Sequence, residues 1–184
     1  MSAISIILVI LVAFLAGMEG ILDEFQFHQP LVACTLIGIA CGHPTEGIIL
    51  GGQLQLLALG WANIGAAVAP DAALASVASA IIVMKGLGGS ASSTDVINTA
   101  IPAAVTLSVA GLFLTMICRT IAIPMVHAMD AAAEKGNIRG VEAWQIAAIC
   151  LQGVRIAIPA AMLCTVPSSS VQKAGRVGKR HHTH

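Results

Sequence analysis

The sequence predicts an all-α protein, a polytopic transmembrane helical bundle with short broken or re-entrant hairpin segments. Composition is the first reason. Of 184 residues, 57% are hydrophobic and 10% are charged, and the mean hydropathy is +0.90. Soluble domains carry roughly a quarter charged residues, so this chain lacks the polar side chains to cover a water-facing surface. Segment length is the second. Residues 3–22, 100–123 and 144–166 are apolar runs, and a bilayer-spanning helix needs about twenty such residues. The third is small-residue content: 18 glycines with many Ala and Ser let helix backbones approach closely in lipid.

Taken in order, the run 3–22 lacks a basic region ahead of it and leads into acidic residues, not a small-residue cleavage site. It is expected to remain as a helix. Segments 31–42 and 47–62 are apolar but short, interrupted by Gly42-His43-Pro44 and Gly51-Gly52. Paired short segments broken by Gly and Pro point to a transport site, because non-helical backbone at membrane depth needs a cavity or protein around it. A re-entrant hairpin is expected here, with a single tilted span kinked at Gly42–Pro44 as the alternative. Pro70-Asp71 reads as a helix start, since Pro suits the first helical position and a carboxylate suits the positive end of the helix dipole. That helix is expected over 72 to about 84. A polar, flexible stretch is expected over 85–98, then the span 100–123 with Arg119 near its end. A charged loop with helical tendency follows at 130–142, and the span 144–166 carries Arg155 and Pro159.

Glu19, Asp23, Glu24, Gln26, His28 and Gln29 crowd the end of the first span. A carboxylate at a membrane boundary is costly to desolvate and persists where it lines a polar cavity or has a partner. Gln53 and Gln55 follow a glycine pair and suit either a sugar's hydroxyls or interhelical hydrogen bonds. Trp61 and Asn63 pair an indole face with an amide, an arrangement suited to a sugar ring, although Trp is common at interfaces. Asp71 alone reads first as a helix-start carboxylate, and Asp23, Glu24 and His28 are equally loop groups. What favours function is that the polar residues of 19–28, 53–63 and 71 all fall at segment breaks, where a near-midplane site is built.

Other classes are poorly supported. No metalloprotease, Walker A, nucleophile-elbow or dinucleotide motif is present, so catalytic residues, metal ligands and cofactors are all expected to be none. Net charge is zero and no basic stripe precedes the last dozen residues, which argues against nucleic acid. The five cysteines lack CxxC spacing and read as small buried hydrophobes.

The run 20–28, Gly-Ile-Leu-Asp-Glu-Phe-Gln-Phe-His, with Pro30, resembles the opening of the membrane subunit IIC of the mannose/fructose/sorbose class of the bacterial sugar phosphotransferase system. The run 58–75, from Ala58-Leu59-Gly60-Trp61-Ala62-Asn63 through Pro70-Asp71 to Ala75, is similar to that family's second block. Weaker similarity continues through 117–120 and 151–160, and the resemblance covers about residues 1–174. It implies a sugar-translocating permease subunit in the bacterial cytoplasmic (inner) membrane, not an enzyme. Its substrate would be a hexose, mannose- or glucose-like. It would pair with a IID membrane subunit in a homo-oligomer of IIC–IID units, and a soluble IIAB component would phosphorylate the sugar. Phosphate is carried by histidines of IIA and IIB, so His28 is not expected to be a phosphorylation site. Carried onto matching positions, the family's sugar pocket implies Asp23, Glu24, Gln26, His28, Gln55, Asn63 and Asp71 as substrate-binding candidates.

The similarity is expected to stop near Ala174, leaving 1–174 as a permease domain incomplete at its C-terminal end. Residues 175–184 would be a basic, His-containing tail outside the family sequence. The alternative to transport is then a truncated, non-transporting membrane remnant or docking scaffold.

Overall fold

The computed structural model describes residues 1–61, 68–87 and 92–167. Within them are six helices: α1 (Ala3–Leu22), α2 (Pro30–Cys41), α3 (Pro44–Ala58), α4 (Ala72–Gly86), α5 (Ser93–Glu134) and α6 (Ile138–Thr165). The starts follow from sequence chemistry. Ser2, Asp71, Ser92 and Asn137 each cap the following helix through a side-chain oxygen, which satisfies an orphan N–H of the first turn. α2 and α3 instead begin on Pro30 and Pro44, whose missing N–H costs nothing at a helix start. Asp71 is the cap and Pro70 precedes it, so α4 begins at Ala72 as expected, two residues beyond the proline.

α2 and α3 pack side by side with the chain reversing at Gly42-His43. Gly51 lies beside Leu31 and Gly47 beside Cys34, and a Cβ on Gly47 would stand 2.5 Å from the Cys34 carbonyl oxygen. The backbones therefore touch along the pair, and only glycine permits that approach. The kinked-span alternative is excluded by this reversal: Gln55, near the end of α3, returns to hydrogen-bond Leu31 N–H at the start of α2 (3.2 Å).

α4 is the centre of the bundle. Every residue from Ala73 to Gly86 except Ile82 is buried, as expected of a helix with no polar face. Val77, Ile81 and Val83 share one core with Val9 of α1, Ile37 of α2, Leu50 of α3 and Ile156 of α6. Its two serines satisfy themselves, Ser76 donating to the Ala72 carbonyl (2.5 Å) and Ser79 to that of Ala75 (2.6 Å), so they bring no unpaired hydroxyl into the core. Cys34, Cys118 and Cys164 are buried and Cys41 and Cys150 half-buried, all as free thiols.

Two expectations are corrected. The polar stretch 85–98 is largely helical where described: Lys85 and Gly86 close α4, and α5 begins at Ser93. Its Gly-Gly-Ser-Ala centre lies outside the described residues. The charged loop at 130–142 is a tight helical turn, because α5 continues to Glu134 and α6 starts at Ile138. Exposed charges at a helix end need no loop, and Asn137 caps α6 by accepting Gly140 N–H (3.1 Å). α5 has 42 residues, about 63 Å at ~1.5 Å per residue, roughly twice a bilayer's hydrocarbon core. α1, α5 and α6 are each long and apolar enough to cross a membrane.

Candidate functional site

The α1–α2 junction is folded by its own side chains. Glu19 is buried at the end of α1, and its Oε2 accepts the N–H groups of Glu24 (3.0 Å) and Phe25 (2.7 Å). Two backbone donors replace the water a carboxylate loses on burial, and they bend the loop back over the helix end. Asp23 and Gln26 both sit at positive φ, +53° and +59°, a conformation unusual for side chains other than Asn or Asp. Gln26 Nε2 donates to Asp23 Oδ1 (2.7 Å), and His28 Nε2 stands 3.6 Å from the same oxygen. Gln55 Nε2 donates to Gln29 Oε1 (2.8 Å), so the α2–α3 hairpin is tied to this loop. Glu24 is exposed and uses only its backbone here.

The second cluster lies across the bundle from three helices. Asp71, the cap of α4, forms a buried ion pair with Arg155 of α6, through Oδ2 and Nη1. Arg155 Nη1 also donates to Thr115 Oγ1 of α5 (2.6 Å), and its Nε donates to Gln152 Oε1 (3.1 Å). Asp71 Oδ1 accepts Leu74 N–H (3.0 Å), and Asp71 N–H donates to the Ser108 carbonyl (3.0 Å). Gly111 of α5 makes room: a Cβ there would lie 2.5 Å from that of Asp71. The pair is thus fully dressed with hydrogen bonds, the condition under which a buried salt bridge offsets its desolvation.

Between the clusters is a cavity of about 220 Å³, walled by His28, Trp61, Asp71, Thr115, Gln152 and Arg155, with Arg119 and the first residues of α4 on its rim. That is a small-solute volume, below the range of drug-sized pockets. Among the described residues, His28 Nδ1 is the buried side-chain polar atom without a partner. Of the residues singled out from the sequence as suited to a sugar, His28, Trp61 and Asp71 line this cavity. Asp23 and Gln26 stand behind His28, Gln55 anchors the hairpin, Glu24 faces outward, and Asn63 lies outside the described residues.

Thr115, Gln152 and Arg155 are site residues that the sequence reading did not assemble. A signal existed for one of them: an arginine inside an apolar span needs a partner, and Asp71 is the available carboxylate. Gln152 and Arg155, three residues apart, share a helix face. Nothing local links either to Thr115.

The fold and cavity define a multi-pass helical membrane protein that encloses a polar pocket beside a broken helical hairpin. The chain belongs to the family described as PTS system sorbose-specific IIC component, whose model matches residues 3–181. It is 48% identical over 172 residues to the PTS system mannose-specific EIIC component of Escherichia coli (strain K12), covering 93% of this chain and 62% of that protein. It is 44% identical to the fructose permease IIC component of Bacillus subtilis (strain 168), covering 94% of this chain and 61% of that one. The chain thus spans about three fifths of the length of these relatives. A solved structure titled as the mannose transporter ManYZ in complex with microcin E492 superposes with a TM-score of 0.80 at 44% identity, covering 95% of this chain and 74% of that one. The protein is a multi-pass protein of the bacterial cytoplasmic membrane, as its family and its three apolar helices of spanning length establish.

Proposed function

We propose that this chain is the sugar-passing IIC subunit of a mannose-class phosphotransferase system, a transport subunit and not an enzyme. The observation that carries the reading is the cavity between the two polar clusters. There an indole (Trp61), an imidazole with an unpartnered buried nitrogen (His28) and the polar groups of Thr115 and Gln152 surround a space of about 220 Å³. Hydroxyl-rich solutes are held this way, a ring face against an aromatic and hydrogen bonds at the edges. The mannose, fructose and sorbose in the relatives' names agree with a hexose.

In this reading His28 is the direct sugar contact of the N-terminal loop, with Asp23 and Gln26 holding its ring. Gln55 keeps loop and hairpin together, and Asn63 is a further contact on the segment after Trp61. Asp71 acts through Arg155, because both its oxygens are already engaged. Passage follows if the hexose binds one arrangement of the hairpin better than the other, since a ligand shifts a conformational equilibrium by its differential affinity. The IID subunit, the soluble IIAB component and a homo-oligomer of IIC–IID units are the partners the family resemblance supports, with phosphoryl transfer left to IIAB. The permease domain is proposed over residues 1–174, and the family match runs on to residue 181, into the basic end.

Isothermal titration of the purified protein in lipid nanodiscs with mannose tests this. His28→Ala and Gln152→Ala are each expected to weaken binding about tenfold, since a lost hydrogen-bond partner costs roughly 1–3 kcal/mol. No mannose binding by the unmodified chain, or unchanged affinity in both variants, refutes the assignment.

A further inference from the structure

The loop between α1 and α2 is strained and lightly held. Gln26 lies at φ +59° and Asp23 at +53°, and a glutamine in the left-handed region carries a steric cost between its Cβ and the following carbonyl. Little apolar burial offsets it. Phe25 is 69% exposed, and its ring pairs with Phe27 of the same loop, centroids 6.1 Å apart. Glu24 and Phe25 are held to α1 by the Glu19 carboxylate, whose Oε2 accepts both their N–H groups (3.0 and 2.7 Å). Residues in a sparsely populated conformation persist where other contacts over-determine them, and they cluster at clamps and switches.

The two ends of the loop belong to different neighbours. α1 is seated on α6, where Gly17 leaves no room for a Cβ against the Gln152 carbonyl and Gly153. At the other end, Gln55 Nε2 donates to Gln29 Oε1 (2.8 Å) and Leu31 N–H donates to Gln55 Oε1 (3.2 Å), so the loop's exit is fixed to the α2–α3 hairpin. Gly20 and Ile21 ahead of the loop and His28 at its end all line the cavity. The loop thus runs along the cavity's edge from one neighbour to the other, and Glu19 ties its middle to α1.

We propose that Glu19 is a positioning residue, the latch of a strap formed by residues 23–28 that opens and closes the cavity. Latched, the strap keeps His28 on the cavity wall opposite the α6 side. Released, it relaxes Gln26 out of the left-handed region, stays on the hairpin through Gln29, and draws His28 away from α1. Strap motion governs access for any small solute, and the sugar reading enters only as the identity of that solute.

The test uses the full 184-residue chain in phosphatidylcholine nanodiscs, with Trp144→Phe leaving Trp61 as the one indole. Acrylamide quenching of Trp61 reports access to the cavity, and hydrogen exchange reports the strap amides. Glu19→Ala is expected to raise the quenching constant about twofold and to speed exchange of residues 24–28 about tenfold, as two lost hydrogen bonds to a charged group require, with α4 unchanged. Glu19→Gln, which keeps an acceptor oxygen, should fall between. Gln26→Gly and Gln26→Ala both lose the hydrogen bond to Asp23, but glycine adopts φ +59° without a Cβ clash. The strap should therefore exchange several-fold slower in Gln26→Gly than in Gln26→Ala, with Trp61 quenched less. Should Glu19→Ala speed exchange in α4 as well, that Gln26 pair decides. Faster strap exchange with Trp61 quenching unchanged overturns the proposal, because the strap then moves without opening the cavity. So does unchanged strap exchange in Glu19→Ala, or equal behaviour of the two Gln26 variants. Mannose titration is scored apart: no binding, with both readouts as expected, removes the sugar reading and leaves the strap standing. Mannose binding with neither readout gives the reverse.

Discussion

The two polar clusters that flank the cavity are built in opposite ways. The α1–α2 loop is held by contacts between residues close in sequence: Glu19 to Glu24 and Phe25, and Gln26 to Asp23. The Asp71–Arg155–Thr115 cluster joins residues 40 to 84 positions apart, from three helices. The loop is partly open to solvent, whereas the Arg155 and Asp71 side chains are 6% and 8% exposed. A solvated charge that loses a partner regains water. A buried one does not, so the same chemical change should differ severalfold in cost between the two.

The largest expected effect is therefore Arg155→Ala. It strands the Asp71 carboxylate and should cost on the order of 3–5 kcal/mol in unfolding free energy, measured by denaturant titration in mixed micelles. Replacing both partners, Asp71→Leu with Arg155→Met, should restore most of that loss, because an apolar pair removes the unpaired charge. A double variant as unstable as the single one would mean the pair contributes something beyond mutual neutralisation.

Lys85 extends the comparison to a buried charge without a carboxylate. Its ammonium, 7% exposed, donates to the carbonyls of Leu163 (2.6 Å), Cys164 (2.9 Å) and Val166 (2.5 Å). It thereby closes the C-terminal end of α6, where a cation also meets the negative end of the dipole. Lys85→Met should cost about 2 kcal/mol, since hydrogen bonds to charged groups are worth ~1.5–3 kcal/mol. Hydrogen exchange should accelerate in residues 160–166 and not in α1. Uniform acceleration along the chain would show that Lys85 serves the whole core instead.

In the loop the effects shrink. Glu19→Gln keeps one acceptor oxygen but loses the charge, and about 1 kcal/mol is expected, seen as faster exchange of the Glu24 and Phe25 amides. Glu24→Gln should change stability by less than about 0.5 kcal/mol, as exposed substitutions without partners do. A Glu24→Gln cost as large as that of Glu19→Gln would erase the distinction between a carboxylate that folds the loop and one that merely lies on it.

The same contrast explains what could be read in advance. The spans, the glycine-punctuated hairpin and the helix start at Asp71 are local patterns, carried by runs of apolar residues and by caps. The polar groups of the loop were visible as a concentration of charge in a chain with 10% charged residues. Residues 85–86, 93–98 and most of 130–142 are more helical than their polarity suggests, because helix ends tolerate exposed charge and one buried lysine.

By itself the sequence determined that this chain is a membrane helix bundle with short segments in its first half, because hydropathy and Gly/Pro punctuation act over neighbouring residues. Its ordered motifs also determined the family. Only the tertiary structure decided for the expected hairpin of α2 and α3 over a kinked span, that Lys85 closes α6, and that Asp71 belongs to Arg155. Those pairings depend on which helices lie side by side, and the contacts that choose neighbours in a bundle, glycine against backbone and charge against charge, join positions that no local window holds together.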